Sequence, residues 1–393
     1  MIRLALWMSL LFLAACSAEK ERNPISPKVT VIDGSAFSAQ VGIVAYTHLS
    51  LANQAAQSLD SKLASFMHHP NPMSQAEIQQ AWRKAYDSFL HSLIFSYLPI
   101  QDPPDWYTQR ISYQHLLTQL DSWPIEGGYI DYIAGYPFSG IVNDLTLNID
   151  EESLRSQHGF TDNSNASLGY HALEFMFWGD GQRSAHDFFP QENTAPVPIS
   201  DTEQSLDSAH AESMYDIEPI KPQNHNRRRQ YTQLLSELLL KDLHRIQRRW
   251  EPSSGYYAQL LQQTSVQKTL QAAFIAAQDL ISKEILQKRF QLISSEFSQT
   301  SSADLIALLT GMEHWFMPAE AELQEASLFF LMQQADPEVA TTFATSLQQS
   351  KTCINNMATN ASTIDQCKQD TISLLSSLRH AAKSLAVELP ALD

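Results

Sequence analysis

Apolar side chains recur every three or four residues along several long stretches of this chain. Four such stripes are Leu51, Ala55, Leu59, Leu63 and Phe66; Leu235, Leu238, Leu239, Leu243, Ile246 and Trp250; Val266, Leu270, Phe274, Ala277, Ile281 and Ile285; and Leu305, Leu308, Leu309, Met312, Trp315 and Phe316. This spacing is typical of amphipathic helices that bury one face. No convincing run alternates between polar and apolar residues, and the chain has only 12 glycines. The sequence therefore predicts an all-α fold.

Helices with a single apolar stripe bury it against one another, and bundles are the usual arrangement. The 393 residues are enough for two domains. We predict an N-terminal helical bundle over 37–180 and a C-terminal bundle over 227–393, joined by an acidic linker or loop over 181–226. The linker region is rich in Ser, Asp, Glu, Pro and Gln. A solvated connection explains this composition better than the alternative, a funnel that attracts cations.

The start of the chain is typical of a secreted bacterial protein. Arg3 precedes an apolar run that ends in small residues, which predicts a signal peptide over 1–15, and the run is too short to span a membrane. The stretch LAAC that ends at Cys16 resembles a bacterial lipobox. We therefore expect a lipid on Cys16 as a membrane anchor, followed by a tether over 16–36. Because Ser17 and not aspartate follows, we expect an outer-membrane lipoprotein that faces the periplasm; secretion with an incidental cysteine is the alternative.

Two further cysteines lie near the C-terminus of the chain. Cys353 and Cys367 are 14 positions apart. In an oxidising compartment such a pair is expected to form a disulfide, because disulfides persist there. Two free thiols are the alternative.

The chain is strongly acidic, with a formal net charge of −17. Binding to nucleic acid requires a basic surface, so we expect no nucleic-acid partner. The charge is compatible with the handling of cations, although solubility alone also explains it. The run Arg227-Arg228-Arg229 opens a predicted helix, where basic residues sit poorly against the positive end of the helix dipole. We therefore expect these arginines to have partners within the fold.

The stretch GYHALEFMFWG over 169–179 places two ionisable side chains in an otherwise apolar run. If it is helical, His171 and Glu174 lie at i and i+3 on one face, one turn apart. An imidazole and a carboxylate at this spacing can share a metal ion if other residues complete the ligand set. A hydrogen bond between them inside a buried helix is the alternative. Gly169 indicates a tight helix start or a close backbone approach, and Gly179 suits a helix end.

The same stretch resembles the GxHxxE signature of the imelysin family. These are periplasmic or outer-membrane bacterial proteins that are classed with peptidases, and many are linked to iron uptake. Other segments are similar to the family in the same order: 123–132, 227–231, the pair Glu284 and Arg289, and Phe297-Ser298 with Asp304. Together the segments span most of the mature chain.

The resemblance implies two packed helical bundles with the signature near their interface, in a cleft to which both halves contribute. It also implies which residues approach His171: Glu174, Glu126 and Glu284 as further metal ligands, and Gly169, Arg289, Ser298 and Asp304 as supports of the cleft. A turn carboxylate that faces water is the alternative for Glu126. Glu284 and Arg289 are five residues apart and share an α-helical face only loosely, so separate interhelical salt bridges are their alternative.

The chain departs from the family pattern at one point. Family members usually carry a carboxylate shortly before an aromatic pair, on the helix that here begins near Ala81-Trp82. No acidic residue occurs over 89–95. Either His91 replaces that ligand at the cleft, or the metal site of this chain is altered or weaker. A histidine of the helix surface or core is the alternative.

These features favour a binding protein over an enzyme. The resemblance implies iron as the bound ion, with zinc as the alternative, and iron-transport components as partners. A metal-dependent peptidase is the second hypothesis, but the chain lacks the HExxH pattern of common zinc proteases, and Ser298 is only a remote candidate for a serine mechanism. A lipoprotein whose cleft binds a peptide or small ligand without metal is the third.

Overall fold

The computed structural model describes residues 32–100, 111–181, 183–191, 224–357 and 361–392. The α-helices of these residues, labelled α1 to α14 in chain order, are Ser35–His68, Pro72–Ser92, Tyr113–Leu120, Gly127–Ile130, Glu151–Gln157, Tyr170–Trp178, His225–Arg249, Tyr256–Gln262, Val266–Asp279, Ser301–Phe316, Ala321–Gln324, Leu328–Ala335, Pro337–Asn355 and Ala361–Ser384. A π-helix at Leu280–Arg289 continues α9, and short 3-10 helices lie at Leu93–Tyr97 and Ala185–Phe188. Within these ranges β-pairing is limited to an isolated bridge between Ile133 and Tyr136. The all-α prediction is confirmed.

Several predicted segments lie wholly or mostly outside the described residues. They are the signal peptide over 1–15, Cys16, most of the tether and most of the linker over 181–226. Among the helices that the structure describes, none is both long and apolar enough to cross a membrane. The leader, the lipid anchor and the linker therefore stay predictions.

The chain reverses between α1 and α2 through a capped turn. The side-chain oxygen of Asn71 accepts hydrogen bonds from the backbone N–H groups of Met73 and Ser74, both at 3.0 Å. The Ser74 hydroxyl in turn accepts a hydrogen bond from the Asn71 backbone N–H at 3.1 Å. This reciprocal cap, with Pro72 in the first turn, fixes the start of α2. α2 then packs back along α1, and the pair forms one wall of the core.

α7, the first helix of the predicted C-terminal half, packs against α1, α3 and α6. The three arginines of its first turn have the partners that their position requires. Arg227 donates to backbone carbonyls of the loop over 141–147, and Arg229 donates to two backbone carbonyls at 2.8 Å. Arg228 forms a buried ion pair with Asp131 at 2.6 Å. The expected partners are confirmed, and the two halves share a core around α7, while the domain boundaries at 180 and 226 stay predictions.

A disulfide joins Cys353 at the end of α13 to Cys367 in α14, with Cα atoms 5.4 Å apart. These two helices form a hairpin that packs against α10 and α9. In the chain-entropy account, closing a loop of this size restricts the unfolded chain by on the order of 3 kcal/mol. The bond therefore holds the C-terminal hairpin together where α13 ends.

α10 approaches α2 closely at Gly311. A Cβ atom added to Gly311 would lie 2.4 Å from the backbone oxygen of His91 and 2.6 Å from its Cα. Only glycine allows this contact between the two backbones. His314 lies nearly one turn further along α10, and its ring centroid is 5.4 Å from that of His91. The glycine thus sets the separation of two histidines from different helices.

We expect Gly311→Ala to lower the free energy of unfolding by about 1–3 kcal/mol, because the added methyl group meets backbone and not a movable side chain. Gly42→Ala in α1 is the matched control, since a Cβ atom there would have its nearest neighbour at 3.6 Å, an ordinary contact. The higher helix propensity of alanine should stabilise that variant by up to about 1 kcal/mol. Urea denaturation measures both values, and effects of the same sign would contradict the close approach.

Candidate functional site

The motif helix α6 starts at a glycine whose conformation and surroundings exclude a side chain. Gly169 has a φ of 91°, and a Cβ atom there would lie 2.5 Å from the backbone oxygen of Leu120. The start of the motif therefore lies directly against the end of α3. From α2, the indole of Trp82 donates a hydrogen bond to the backbone oxygen of Tyr170 at 2.8 Å. These contacts place His171 in the interior, between α2 and the end of α3.

His171 and Glu174 lie side by side, as their spacing predicts. Nδ1 of His171 is 2.8 Å from Oε2 of Glu174. The other carboxylate oxygen, Oε1, accepts hydrogen bonds from the backbone N–H of Ser298 at 2.8 Å and from its hydroxyl at 2.6 Å. The His171 and Glu174 side chains are 1% and 0% exposed, so in this conformation the pair is sealed in the core and faces no open cleft. Glu174 therefore orients the imidazole and directs its Nε2 atom to the opposite side.

Nε2 of His171 faces two oxygen atoms that the sequence did not nominate. It lies 2.9 Å from Tyr86 Oη and 3.2 Å from Asp121 Oδ1, and the Tyr86 hydroxyl donates to Asp121 Oδ1 at 2.8 Å. We call these three atoms the Nε2 face. They come from α6, α2 and the end of α3, and Tyr86 and Asp121 are 85 and 50 residues from His171. A local sequence motif does not indicate contacts between residues so far apart in the chain.

Arg289 contributes to the same network from the π-helix. Its Nε atom donates to Glu284 Oε1 at 2.7 Å, and a terminal nitrogen donates to Asp121 Oδ2 at 3.2 Å. The Tyr97 hydroxyl donates to the other oxygen of Glu284 at 2.9 Å. Residues five apart diverge on an α-helix, but the wider turn of a π-helix brings i and i+5 together. Glu284 and Arg289 therefore share one face and pair with each other, which an α-helical spacing rule does not predict.

The network contains more carboxyl groups than cationic groups. The carboxyl groups of Asp121, Glu174, Glu284 and Asp304 face the guanidinium of Arg289 and the imidazole of His171. Asp304 accepts hydrogen bonds from the hydroxyls of Ser294 and Ser295, and its carboxylate lies 3.6 Å from Arg289. Burial nevertheless raises the pKa of Asp304. The cationic groups of this network therefore do not balance all of its carboxyl groups.

His171 is a buried cation in this arrangement. Burial acts to lower its pKa, but the hydrogen bonds and charges of Asp121 and Glu174 outweigh burial and raise the pKa to about 9. Burial also acts to raise the pKa of Asp121, yet the hydrogen bond from His171 and the charge of Arg289 hold that pKa well below its ordinary value. At neutral pH the network therefore holds an imidazolium between two carboxylates.

Two residues expected at the cleft have their contacts elsewhere. Glu126 is exposed, and its carboxylate lies 3.5 Å from the side-chain amide of Asn165, as expected of a turn carboxylate that faces water. Nε2 of His91 lies 3.6 Å from the carboxylate of Asp87 on its own helix. None of the contacts found among the described residues joins Glu126 or His91 to His171. The structure therefore lends no support to either as a ligand beside His171.

Across the described ranges, no group of three or more His, Cys, Asp or Glu side chains is placed to hold a metal ion. Around His171 the reason is geometric. Glu174 contacts Nδ1 and Asp121 contacts Nε2, on opposite sides of the ring. One ion therefore cannot bridge His171 to both carboxylates. On the Nε2 side, the atoms that could ligate an ion are those of His171 and Asp121 and the phenol oxygen of Tyr86.

The sequence profile of the imelysin family matches residues 45–384, a span that includes every residue of this network. The chain belongs to the imelysin family. The resemblance inferred from the GxHxxE motif is thereby confirmed. No curated protein matches the chain significantly.

Two solved structures share the fold of this imelysin-family chain. One is described as an iron-regulated protein A precursor from Parabacteroides distasonis; it is 14% identical, with a TM-score of 0.60 over 90% of this chain and 96% of its own. The other is an imelysin-like protein from Psychrobacter arcticum, 12% identical, with a TM-score of 0.55 over 92% of this chain and 98% of its own. At these identities the likeness establishes a shared helical fold.

We expect the stability of the metal-free protein to fall as pH rises from 6.5 through 9, because the pKa of His171 is raised from 6.5 to about 9 on folding. The stabilisation is fully present below pH 6.5, and its loss amounts to about 3 kcal/mol. Urea denaturation at intervals over this range measures the slope. His171→Gln should remove the slope and His380→Gln, at an exposed position in α14, should keep it. The same slope in both variants would contradict a buried imidazolium at position 171.

Proposed function

We propose that this imelysin-family protein binds iron in the bacterial cell envelope and passes it to transport components. The observation that carries the proposal is the convergence of His171 Nε2, Asp121 Oδ1 and Tyr86 Oη in a network that is short of positive charge. A cation bound there would balance carboxylates that Arg289 and the Lys288 ammonium, 3.9 Å from Glu284, do not neutralise. Metal ligands must be free of protons, so an ion at this face would displace the Nε2 proton of His171 and the hydroxyl proton of Tyr86.

The donor set of the Nε2 face fits iron. An imidazole nitrogen and carboxylate and phenol oxygens are ligand types that iron accepts together. Two ligands about 2 Å from one ion lie about 3 Å apart, and the three atoms of the face lie 2.8, 2.9 and 3.2 Å from one another. The iron would be held by His171, Asp121 and Tyr86.

Glu174 has a different role in this proposal from the one its motif implies. Metal-bound histidines usually donate their second N–H to a carboxylate, which fixes the ring and its tautomer. Glu174 accepts from Nδ1 of His171 at 2.8 Å and is itself held by two hydrogen bonds from Ser298. Glu174 and Ser298 therefore position the ligating histidine, and Glu174 supports the ion without contacting it.

The envelope location rests on the sequence. The signal peptide over 1–15 would direct export, and the lipid on Cys16 would tether the helical domain to the outer membrane, where it meets iron before the inner-membrane transporters do. One solved relative is described as iron-regulated, which agrees with a role in iron acquisition. Zinc is the alternative ion for the same donors.

Nothing at this site favours proteolysis. A serine mechanism requires a histidine that accepts the proton of the serine hydroxyl. The Ser298 hydroxyl instead donates to Glu174 at 2.6 Å, and Glu174 separates it from His171. The side chains of His171, Glu174, Asp121 and Arg289 are also at most 7% exposed, so a polypeptide substrate has no access to them in this conformation. A binding role is the function that the geometry supports.

We expect the protein, purified without chelator and incubated with ferrous or ferric iron, to retain about one ion per chain that His171→Gln and Asp121→Asn lose. Glu174→Gln should weaken binding by about 10- to 100-fold, as loss of a supporting hydrogen bond does. Elemental analysis measures the content. Quenching of tryptophan fluorescence measures the affinity, because the ring centroids of Trp82 and Trp123 lie 6.3 and 6.4 Å from that of His171.

Glu126→Gln is the control, because it removes an exposed carboxylate outside the Nε2 face. It should bind iron as the wild type does. Circular dichroism and thermal unfolding of each variant establish that the fold is intact. Equal iron content in the wild type and in folded His171→Gln, or the absence of binding to the wild type, would refute the proposal.

A further inference from the structure

A second candidate site lies on the α1–α2 pair. A cavity of about 540 Å³ is enclosed by α1, α2, α10 and α11. This volume is within the range of small-molecule sites, roughly 300–1,000 Å³. None of its lining residues belongs to the network around His171. The cavity is therefore independent of the proposed iron site.

Three histidines from three helices converge on this cavity. The ring centroids of His48 and His314 are 6.2 Å apart, and those of His91 and His314 are 5.4 Å apart. His48 is 8% exposed and lies deepest, whereas His314 is exposed. Burial, with the neighbouring imidazoles of His91 and His314, lowers the pKa of His48 to about 4. The ring of His48 is therefore neutral at neutral pH and can donate one N–H to a ligand.

The α2 side of the cavity carries one fixed positive charge, that of Lys84. Lys84, Ser88 and His91 lie at i, i+4 and i+7 on α2 and line the cavity together. Glu320 is the acidic side chain among the described lining residues. Asp87, 3.6 Å from His91, is half-exposed and does not line the cavity. Imidazole N–H groups and an ammonium on one wall favour an anionic group.

Apolar side chains also line the cavity, interspersed on α1 with polar ones such as Gln40, Thr47 and Gln54. Val44, Leu51 and Ala55 line it from α1, and Leu323 lines it from α11. Leu51 is 52% exposed although the apolar periodicity predicts it on the buried stripe, and Ile43 beside it is 46% exposed. Large apolar side chains that stay exposed around a cavity are typical of a ligand-binding surface. A ligand with an apolar body would cover them.

We propose that this cavity binds a small amphipathic organic acid, with its apolar body against Val44, Leu51, Ala55 and Leu323 and its anionic head toward Lys84 and the three histidines. A metal ion alone suits the cavity less well, because the described residues contain no group of three His, Cys, Asp or Glu side chains placed to hold one. An ion would also leave these apolar side chains uncovered.

Two dyes with the same ring system test the proposal. 8-Anilinonaphthalene-1-sulfonate carries an anionic head, and N-phenyl-1-naphthylamine lacks it. We expect saturable fluorescence of the sulfonate at one site of the natively folded full chain. Ala55→Phe, which fills the cavity, should abolish it. Gln57→Phe adds the same ring at an exposed position of α1 that does not line the cavity, and should leave it unchanged.

A double variant tests whether the cavity recognises the anionic group of the ligand. The double variant Lys84→Met, His314→Gln changes two exposed side chains and should fold. It should weaken binding of the sulfonate by about tenfold, the loss expected for a charged hydrogen bond, and change binding of the neutral dye by less than about twofold. His171→Gln should bind both dyes as the wild type does, which separates this site from the iron site.

Three outcomes would overturn the proposal. They are the absence of a saturable site in the wild type, binding by Ala55→Phe equal to that by Gln57→Phe, and an equal loss of both dyes in the double variant. Thermal unfolding shows whether each variant keeps its fold. If Ala55→Phe fails to fold, Leu323→Trp, which fills the cavity from α11, takes its place under the same criterion.

Discussion

The paired charges around His171 are the constraint on which the centre of this molecule depends. An imidazolium and a guanidinium are held away from water, and each is tolerated only because carboxylates on other elements contact it. Losing one partner from a buried pair leaves an uncompensated charge, which costs about 3–5 kcal/mol. The network therefore fixes α2, the end of α3, α6 and the π-helix relative to one another. It also keeps the three atoms of the Nε2 face away from water and oriented toward one another, as the proposed binding of a cation requires.

α2 connects this network to the histidine-lined cavity. Trp82 and Tyr86 lie on the side of α2 that contacts the motif helix, through a hydrogen bond to the Tyr170 backbone and the contact with His171. Lys84, Ser88 and His91 lie on the side that lines the cavity. The close approach of α10 at Gly311 sets the position of this second side. One helix thus forms part of two sites with different chemistry, one charged and sealed, the other partly apolar and accessible.

The sequence predicts the helices and the pairing of His171 with Glu174, because both depend on local spacing. It does not predict Tyr86 or Asp121, which reach His171 from 85 and 50 residues away. α-Helical spacing does not predict the pairing of Glu284 with Arg289, because a separation of five residues is unfavourable on an α-helix and favourable on the π-helix that forms here. Burial of the pair is the alternative that the sequence offers for the motif, and the structure has it; the number of carboxylates around His171 does not follow from the sequence.

The structure gives each fixed position of the GxHxxE motif a separate physical reason. The glycine is required because the backbone of Leu120 leaves no room for a Cβ atom. The glutamate at i+3 reaches Nδ1 of the histidine and, held by Ser298, fixes the ring. The histidine then presents Nε2 to Asp121 and Tyr86, which the motif does not contain. A chain can therefore keep the whole motif and still lose the proposed donor face, if either distant oxygen is absent. The motif alone is a weaker indicator of metal binding than the motif together with an aspartate after α3 and a tyrosine on α2.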